Sequence, residues 1–496
     1  MRLKLHRGPG RGEYNPTTVE FLSDDGCRIF IDLGSGGAPF SVPGLTEPDS
    51  GPKGSALFLS HLHNDHSGRL EDCLEGIDVY AGSVTAKLMR IIEGKLSGVP
   101  SAACGRRGPG AFPETGPGEG RGPAGDRRRA ERLAAIGRIK TFDRSRYTYA
   151  FGGLTVTRFL TDHSCLDTYM FLVKGDGAAC LVTGDFRDHG LRWPLALNRL
   201  KAYAPGVTHA VCMPVYAEGA GRGEGERAGS RSFYPESDVR GMAERFLKTR
   251  RHVFVVCSST DLDRIHAFME ANAAQEGGGR LFLADSYQAR ILKAADGFKD
   301  SEGKPFGFRG RLEVIGPGKE ADYARWDKAG FLMLARGTAQ CFKTHMTRYL
   351  GGPGADPSGP GGAVIYSRWR GYLDPGRRNS HEDRELLKDW LRSWPAREFS
   401  RAGDVTDMPG GPEAGAASPE SAVTVIHTGG HASPEALKRL ADEIFPDAAI
   451  IPIEHDSADG IMKLFPEKGK VIPLEPGRYL ELERRAAAAG GRASDA

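Results

Sequence analysis

His61, His63, Asp65 and His66 fall within six positions of the segment SHLHNDHSGRL, residues 60 to 70. Imidazole and carboxylate are the groups that zinc takes as ligands, in sets of about four or five. Three histidines beside an aspartate are costly to bury without a cation or matched partners. More residues of the same kind close strand-like runs: His163 ends LTVTRFLTDH, Asp185 lies in LVTGDF and His455 ends IIPIEH. Two divalent ions about 3.5–4 Å apart need about six or seven ligands, one carboxylate being shared. The inventory meets that count. His61, His63 and His163 would hold one ion, Asp65, His66 and His455 the other, and Asp185 would bridge. Zinc, about two ions per chain, is the expected metal, and manganese accepts the same ligands. His209, His252 and His266 each stand alone in their runs and read as structural.

Such a cluster needs strands to deliver it, because ligand-binding residues gather at strand C-termini along one edge of an open sheet. ALFLSH (56–61) is an apolar run that ends at the cluster. VEFLSDDGCRIFIDLG (19–34) reads as two strands about a DDG turn, and IDVYAG (77–82) as another strand. SVTAKLMRIIEGKL (83–96) has helical spacing, with Val84, Leu88 and Ile91 on one face. TYMFLVKGDGAACLVTGDF (168–186) reads as a hairpin turning at Gly-Asp-Gly. From about 206 strands and helices alternate: THAVCM, DVRGMAERFLKTRR, HVFVVCSS, LDRIHAFMEANAA, RLFLAD. That pattern predicts a parallel sheet flanked by helices, and the fold class is α/β. AVTVIHTGGH then leads to a helix SPEALKRLADEIF, capped by Ser433 with Pro434 at its first position, and to AAIIPIEH.

The chain has 496 residues, enough for about two to four domains. Its net charge of +3 neither demands nor excludes a nucleic-acid partner. No apolar run approaches the roughly 20 residues that cross a bilayer, so no membrane partner is expected. The opening MRLKLHRGPGRGEY has no apolar core behind its basic residues, and the cytoplasm is the expected location. The eight cysteines form no CxxC pair and read as reduced thiols. Residues 97–128 are dominated by Gly, Pro and Arg and read as a flexible insertion. Similar breaks occur at 218–231, 351–362 and 403–420, and 483–496 reads as a frayed tail.

SHLHNDHSG resembles the signature of the metallo-β-lactamase superfamily. FLTDHSCLDTYMFLV is similar to its second metal-histidine motif, and LVTGDFRDHG to the segment with the bridging aspartate. VVCSSTDLDRIHAFMEA, GRLFLADSYQARIL, VIYSRWRGYL, HTGGHASPEALKRL and IIPIEHDSADGIMKLF resemble the β-CASP branch, and among it ribonuclease J-like proteins. The resemblance spans most of residues 15 to 480, outside the Gly/Pro-rich breaks. It implies an αββα metallo-β-lactamase sandwich, residues 1–205 and 376–482. A β-CASP α/β domain with a parallel sheet, 206–375, would interrupt it. It also implies two-zinc hydrolysis of RNA phosphodiesters, exo- or endonucleolytic. Asp65 or Asp185 would orient the attacking hydroxide, and His431 would reach the scissile phosphate. A histidine so placed can protonate a leaving oxygen or stabilise developing charge. Ser258 and Ser259, between a strand and a helix, are candidates for a 5′ phosphate, and ordinary N-capping accounts for them as well. Arg368 and Trp369 in SRWRGY suit phosphate contact and base stacking, and packing at a domain joint suits them equally. RNA is therefore the expected partner, and monomer or homodimer both stand open.

Two departures matter. The acid that the resemblance places in VCMPVYAEG falls on Pro214 or Met213, with Glu218 a few residues on. The last metal histidine sits in Pro452-Ile453-Glu454-His455, so Glu454 competes with His455 for the second ion. Two other activities compete with the nuclease: hydrolysis of a small ester, thioester or phosphodiester, and RNA binding by a weakened enzyme.

Overall fold

The computed structural model describes residues 1–7, 17–36, 40–51, 54–96, 123–212, 234–315, 322–337, 341–350, 362–373, 381–387, 397–399, 405–407, 423–453, 458–467 and 469–482. Two sheets face each other in the first unit. One has the strand order Tyr479–Glu481, Arg2–Arg7, Thr17–Leu22, Arg28–Ile31, Gly54–Phe58, Asp78–Ala81, Lys140–Thr141. The other has the order Ala449–Pro452, His209–Cys212, Ala178–Val182, Tyr169–Gly175, Leu154–Leu160, Thr148–Phe151. Alternate residues of a strand point to opposite faces. Ile29 and Phe58 therefore meet Phe171, Cys180, Val211 and Ile451 between the sheets. Phe30, Leu57 and Val79 turn outward onto Val84 and Leu88 of the helix Ser83–Leu96. On the second sheet, Met170, Leu181 and Ala210 turn outward onto Trp193 and Leu200 of Trp193–Tyr203 and Leu437 and Leu440 of Pro434–Ile444. The central strands are apolar on both faces because both faces are covered. Each such large side chain contributes roughly 1.5–3 kcal/mol of burial.

A third sheet forms the second unit, with the order Leu312–Ile315, Leu281–Asp285, Phe331–Ala335, His252–Cys257, Ala363–Ser367, Val423–Val425, Arg397–Phe399, Val405–Asp407. Its pairings are parallel except the last. Val253 and Val255 pack on Ile265 and Phe268, while Phe254 and Val256 face Phe342 and Met346. The fold class is α/β, as expected.

The hairpin turns at Asp176 and Gly177, whose φ values of 48° and 80° are those of a two-residue turn matched to strand twist. Ser433 caps its helix by accepting from the Ala436 amide, with Pro434 following. Elsewhere the chain differs from the sequence reading. His209–Cys212 does not open the second unit at 206. It lies parallel between Ala178–Val182 and Ala449–Pro452 in the first. Val423–Val425 pairs with Ala363–Ser367, so the chain is still in the second unit long after 376. Short apolar strands look alike in any parallel sheet, which is why the alternation from 206 misplaced the first crossing, while the return at 376 came from the resemblance. The insertion 97–128 ends inside a helix, Pro123–Gly137. Arg132 on that helix reaches Glu71 at 2.9 Å and Glu93 at 2.5 Å. Residues 97–122 and 483–496 lie outside the described residues, as do Pro214, Glu218, Glu454 and His455. Six of the described cysteines, Cys27, Cys73, Cys165, Cys180, Cys212 and Cys257, form no disulfide. His252 is structural: its Nε2 lies 3.2 Å from the Trp326 carbonyl and its ring stacks on Tyr349.

Candidate metal centre

Strand Gly54–Phe58 carries the chain to His61, and the turn that follows is buckled onto residues 32–35. The Leu33 amide donates to the His66 carbonyl and the Ser35 amide to the Asn64 carbonyl, both at 2.8 Å. Gly34 is required between them, since a Cβ there would stand 1.6 Å from the Asp65 carbonyl oxygen. Asp32 has φ of 63°, a costly conformation for a residue with a side chain. Its carboxylate accepts from the Ser60 amide at 2.7 Å, the Ser60 hydroxyl at 2.8 Å and His66 Nδ1 at 2.8 Å.

These contacts set the ring tautomers. His66 donates through Nδ1 to Asp32, and His163 through Nδ1 to the Gly430 carbonyl at 2.6 Å. The Ser60 hydroxyl, its proton given to Asp32, accepts from His61 Nδ1 at 3.0 Å. Each ring then turns its Nε2 inward, the arrangement typical of ligating histidines. Around Asp185 Oδ2 stand His163 Nε2 at 3.4 Å, His66 Nε2 at 3.5 Å, His431 Nε2 at 3.7 Å and His61 Nε2 at 3.8 Å. Asp65 Oδ2 is 3.6 Å from His66 Nε2. His63 Nδ1 lies 3.2 Å from His163 Nε2. Two nitrogens bound to one tetrahedral zinc, at about 2.0–2.1 Å each, stand roughly that far apart.

One ligand atom each from His61, His63, His163 and Asp185 lies within 4.8 Å of the others, and the same holds for Asp65, His66 and Asp185. This buried group can hold a metal ion. The fit has a further sign: His61 Nε2, His66 Nε2 and Asp185 Oδ1 are buried with no hydrogen-bond partner. Such atoms are rare unless a ligand completes them. Burial pushes His61, His63 and His163 below the ordinary histidine range, which favours the neutral, ligating form. His66 differs. Burial opposes its charge, but Asp185, Asp65 and Asp32 outweigh burial and raise it well above that range. Asp185 mirrors it: burial acts to raise its pKa, but His66, His431 and His163 hold it well below the carboxylate range.

The structure brings together His61, His63, Asp65, His66, His163, Asp185 and, one-third exposed at the rim, His431. The other expected residues stand differently. Ser258 and Ser259 are half-buried. The Ser258 hydroxyl lies 3.0 Å from Thr260 Oγ1, and Asp261 caps the following helix by accepting from the Arg264 amide. Neither serine is therefore the cap. Arg368 donates from Nη1 to both oxygens of buried Asp383 at 2.7 Å and lies over the Tyr372 ring. Trp369 packs edge-on against Tyr372, 5.3 Å between centroids. The sequence reading missed Asp32 and Ser60. The signal for Asp32 was an acid directly after the apolar run IFI, residues 29–31.

No protein-family model matches the chain, and no curated protein does. Solved structures do match. One is a crystal structure of a protein of unknown function from Enterococcus faecalis V583. It is 15% identical with a TM-score of 0.60, over 97% of this chain and 99% of that one. At that identity the likeness concerns the fold alone. Among the described residues, no helix is long and apolar enough to cross a membrane.

Proposed function

We propose that this chain is a two-zinc phosphodiester hydrolase acting on RNA, of the metallo-β-lactamase and β-CASP type that its motifs resemble. One observation carries the reading: Asp185 belongs to both groups of ligand atoms, as a bridging carboxylate must. The two facing sheets with outer helices, joined to a second α/β unit, support it. His61, His63, His163 and Asp185 would hold one ion, and Asp65, His66 and Asp185 the other, with manganese as the alternative metal. Bound zinc would supply electrophilic charge and a source of hydroxide near neutral pH. The chain's own residues do the rest. Asp32, Ser60 and Gly430 fix the tautomers of the ligating rings. Asp65 and Asp185 orient the attacking water. His431, exposed at the rim, gives its proton to the leaving oxygen or steadies the charge on the phosphate.

The test pairs elemental analysis with cleavage of a 5′-monophosphate RNA at pH 7. The native chain should carry about two zincs and cleave. His63→Ala should lose metal and activity together. His431→Ala should keep metal while kcat falls about 10²–10⁴-fold. Cleavage that survives both substitutions would sink the assignment. A second reading, a hydrolase of small esters, thioesters or phosphodiesters, is favoured by Arg368, whose charge Asp383 already engages. Metal-loaded protein that leaves RNA intact but hydrolyses a small phosphodiester or ester would select it.

A further inference from the structure

Four contacts hold the backbone on either side of His431. Arg264 Nη2 donates to the Thr428 carbonyl at 3.1 Å, and His189 Nε2 to the Gly429 carbonyl at 2.7 Å. His163 Nδ1 donates to the Gly430 carbonyl, and the Ala432 amide to the Phe186 carbonyl, each at 2.6 Å. Arg264 also reaches His427 Nδ1 at 3.0 Å and donates to the Ser367 hydroxyl at 2.8 Å. Its guanidinium is fully buried, so it must be matched by an acid. Glu236 is that acid. It accepts from Arg264 Nη2 at 2.6 Å, and its second oxygen pairs with Arg264 Nε.

Glu236 does more than neutralise Arg264. Its carboxylate also takes Arg187 Nη1 at 3.0 Å, and its amide donates to the His189 carbonyl at 2.8 Å. Arg187 stands two residues beyond Asp185 and bonds Asp162 at 2.6 Å, next to His163. One buried carboxylate, at the start of the helix Glu236–Leu247, is thus tied to the segments that carry His163, Asp185 and His431. A guanidinium fork holds several acceptors in one plane, which a flexible ammonium does not.

We infer that Glu236, acting through Arg264, is a positioning residue that sets where His431 stands relative to Asp185. The role assigned to His431 rests on the nuclease reading above, but the contact can be read without it. The variants are Arg264→Lys, which keeps the charge and loses the fork, and Glu236→Gln with Arg264→Met. The double variant removes both charges together, so no orphan charge remains if the single variant does not fold. In zinc-loaded full-length protein, kcat on the RNA should fall about tenfold to a hundredfold, with KM and metal content unchanged. Hydrogen exchange should quicken in 426–433 while the strand His252–Cys257 stays protected. Loss of metal in step with kcat, or native kcat and native exchange in the folded double variant, overturns the inference. Suppose the native chain cleaves no RNA, yet exchange quickens only in 426–433 of the double variant. The positioning contact then stands and the nuclease reading falls.

Discussion

Two clusters of ionisable side chains lie side by side in this molecule, one buried throughout and one buried except at its rim, and they are opposite in kind. In the first, Asp162, Arg187, Glu236 and Arg264 alternate in sign, and each charge has its opposite within hydrogen-bond reach. In the second, Asp185 and Asp65 face imidazoles, most of which burial keeps neutral, and three buried ring and carboxylate atoms have no partner. The first cluster is neutral by its own composition. In the second, the carboxylates Asp185, Asp65 and Asp32 raise the pKa of His66 against its burial. Burial of charge demands a counter-charge. One cluster finds it in the chain, and the other has the donor set to take it from a cation.

That contrast can be broken by experiment. Arg187→Met leaves buried Asp162 without its ion-pair partner and Glu236 with Arg264 alone. It should cost about 3–5 kcal/mol, read from the urea midpoint. A loss below about 1 kcal/mol would mean that the pairing is not buried as drawn. Next comes the metal. Zinc at about a hundred times its dissociation constant should stabilise the native chain by roughly 3 kcal/mol. His61→Ala should abolish most of that gain, and an equal gain in the variant would move the ion elsewhere.

Asp261 sharpens the comparison, because it is a buried acid beside the paired cluster that accepts from the Arg264 amide and not from its guanidinium. Burial, against Arg264 and Arg187, pushes its pKa up to about 6. The folded chain therefore binds its proton more tightly than the unfolded chain does. The stability this gives is present at low pH and lost as pH rises from about 4 towards 6. Asp261→Asn keeps the helix cap and should stabilise the protein at pH 7 by about 1–3 kcal/mol, with no gain below pH 4. Glu236 has the opposite sign. Burial opposes its charge, but Arg264 and Arg187 hold its pKa at about 2. Its contribution is present above about pH 4.5 and fades as pH falls towards 2, and Glu236→Gln should flatten that acid limb of the stability profile. The smallest effect is at the cap after His431. Ser433→Ala should cost about 1 kcal/mol without moving metal content. A large loss of metal would tie that helix to the centre more closely than its contacts do.

The two clusters were not equally legible in the sequence. His61, His63, Asp65 and His66 announce themselves because their spacing is short and their types are chemically narrow. His163 and Asp185 were readable because each follows an apolar strand run, where a polar residue needs a reason. Glu236 and Arg264 had no such signal. Each sits in an amphipathic helix among other charges, as in ESDVRGMAERF and LDRIHAFMEAN, and charged helix residues usually face water. Their pairing depends on a contact between segments that no local pattern encodes. Arg2–Arg7 was passed over for a similar reason. Its alternating RLKLHR is strand-like, but its partners are Thr17–Leu22 and, at the far end of the chain, Tyr479–Glu481. Interior strands such as Ala178–Val182 and His252–Cys257 were readable, whereas Phe331–Ala335 was passed over and the crossings between the units were misplaced.

The pairing of His209–Cys212 with Ala449–Pro452 also governs the order in which the molecule assembles. The nascent chain emits the first of these strands long before the second, and nearly the whole second unit intervenes. During that interval the edge of the six-stranded sheet presents unpaired amides and carbonyls to any extended segment nearby. The second unit has its own core and can collapse meanwhile, whereas the first must wait for residues beyond it. Folding on the ribosome should therefore run from the middle outwards. The late step is the insertion of Ala449–Pro452 beside a strand made more than two hundred residues earlier, a contact order that predicts slow closure of the first unit.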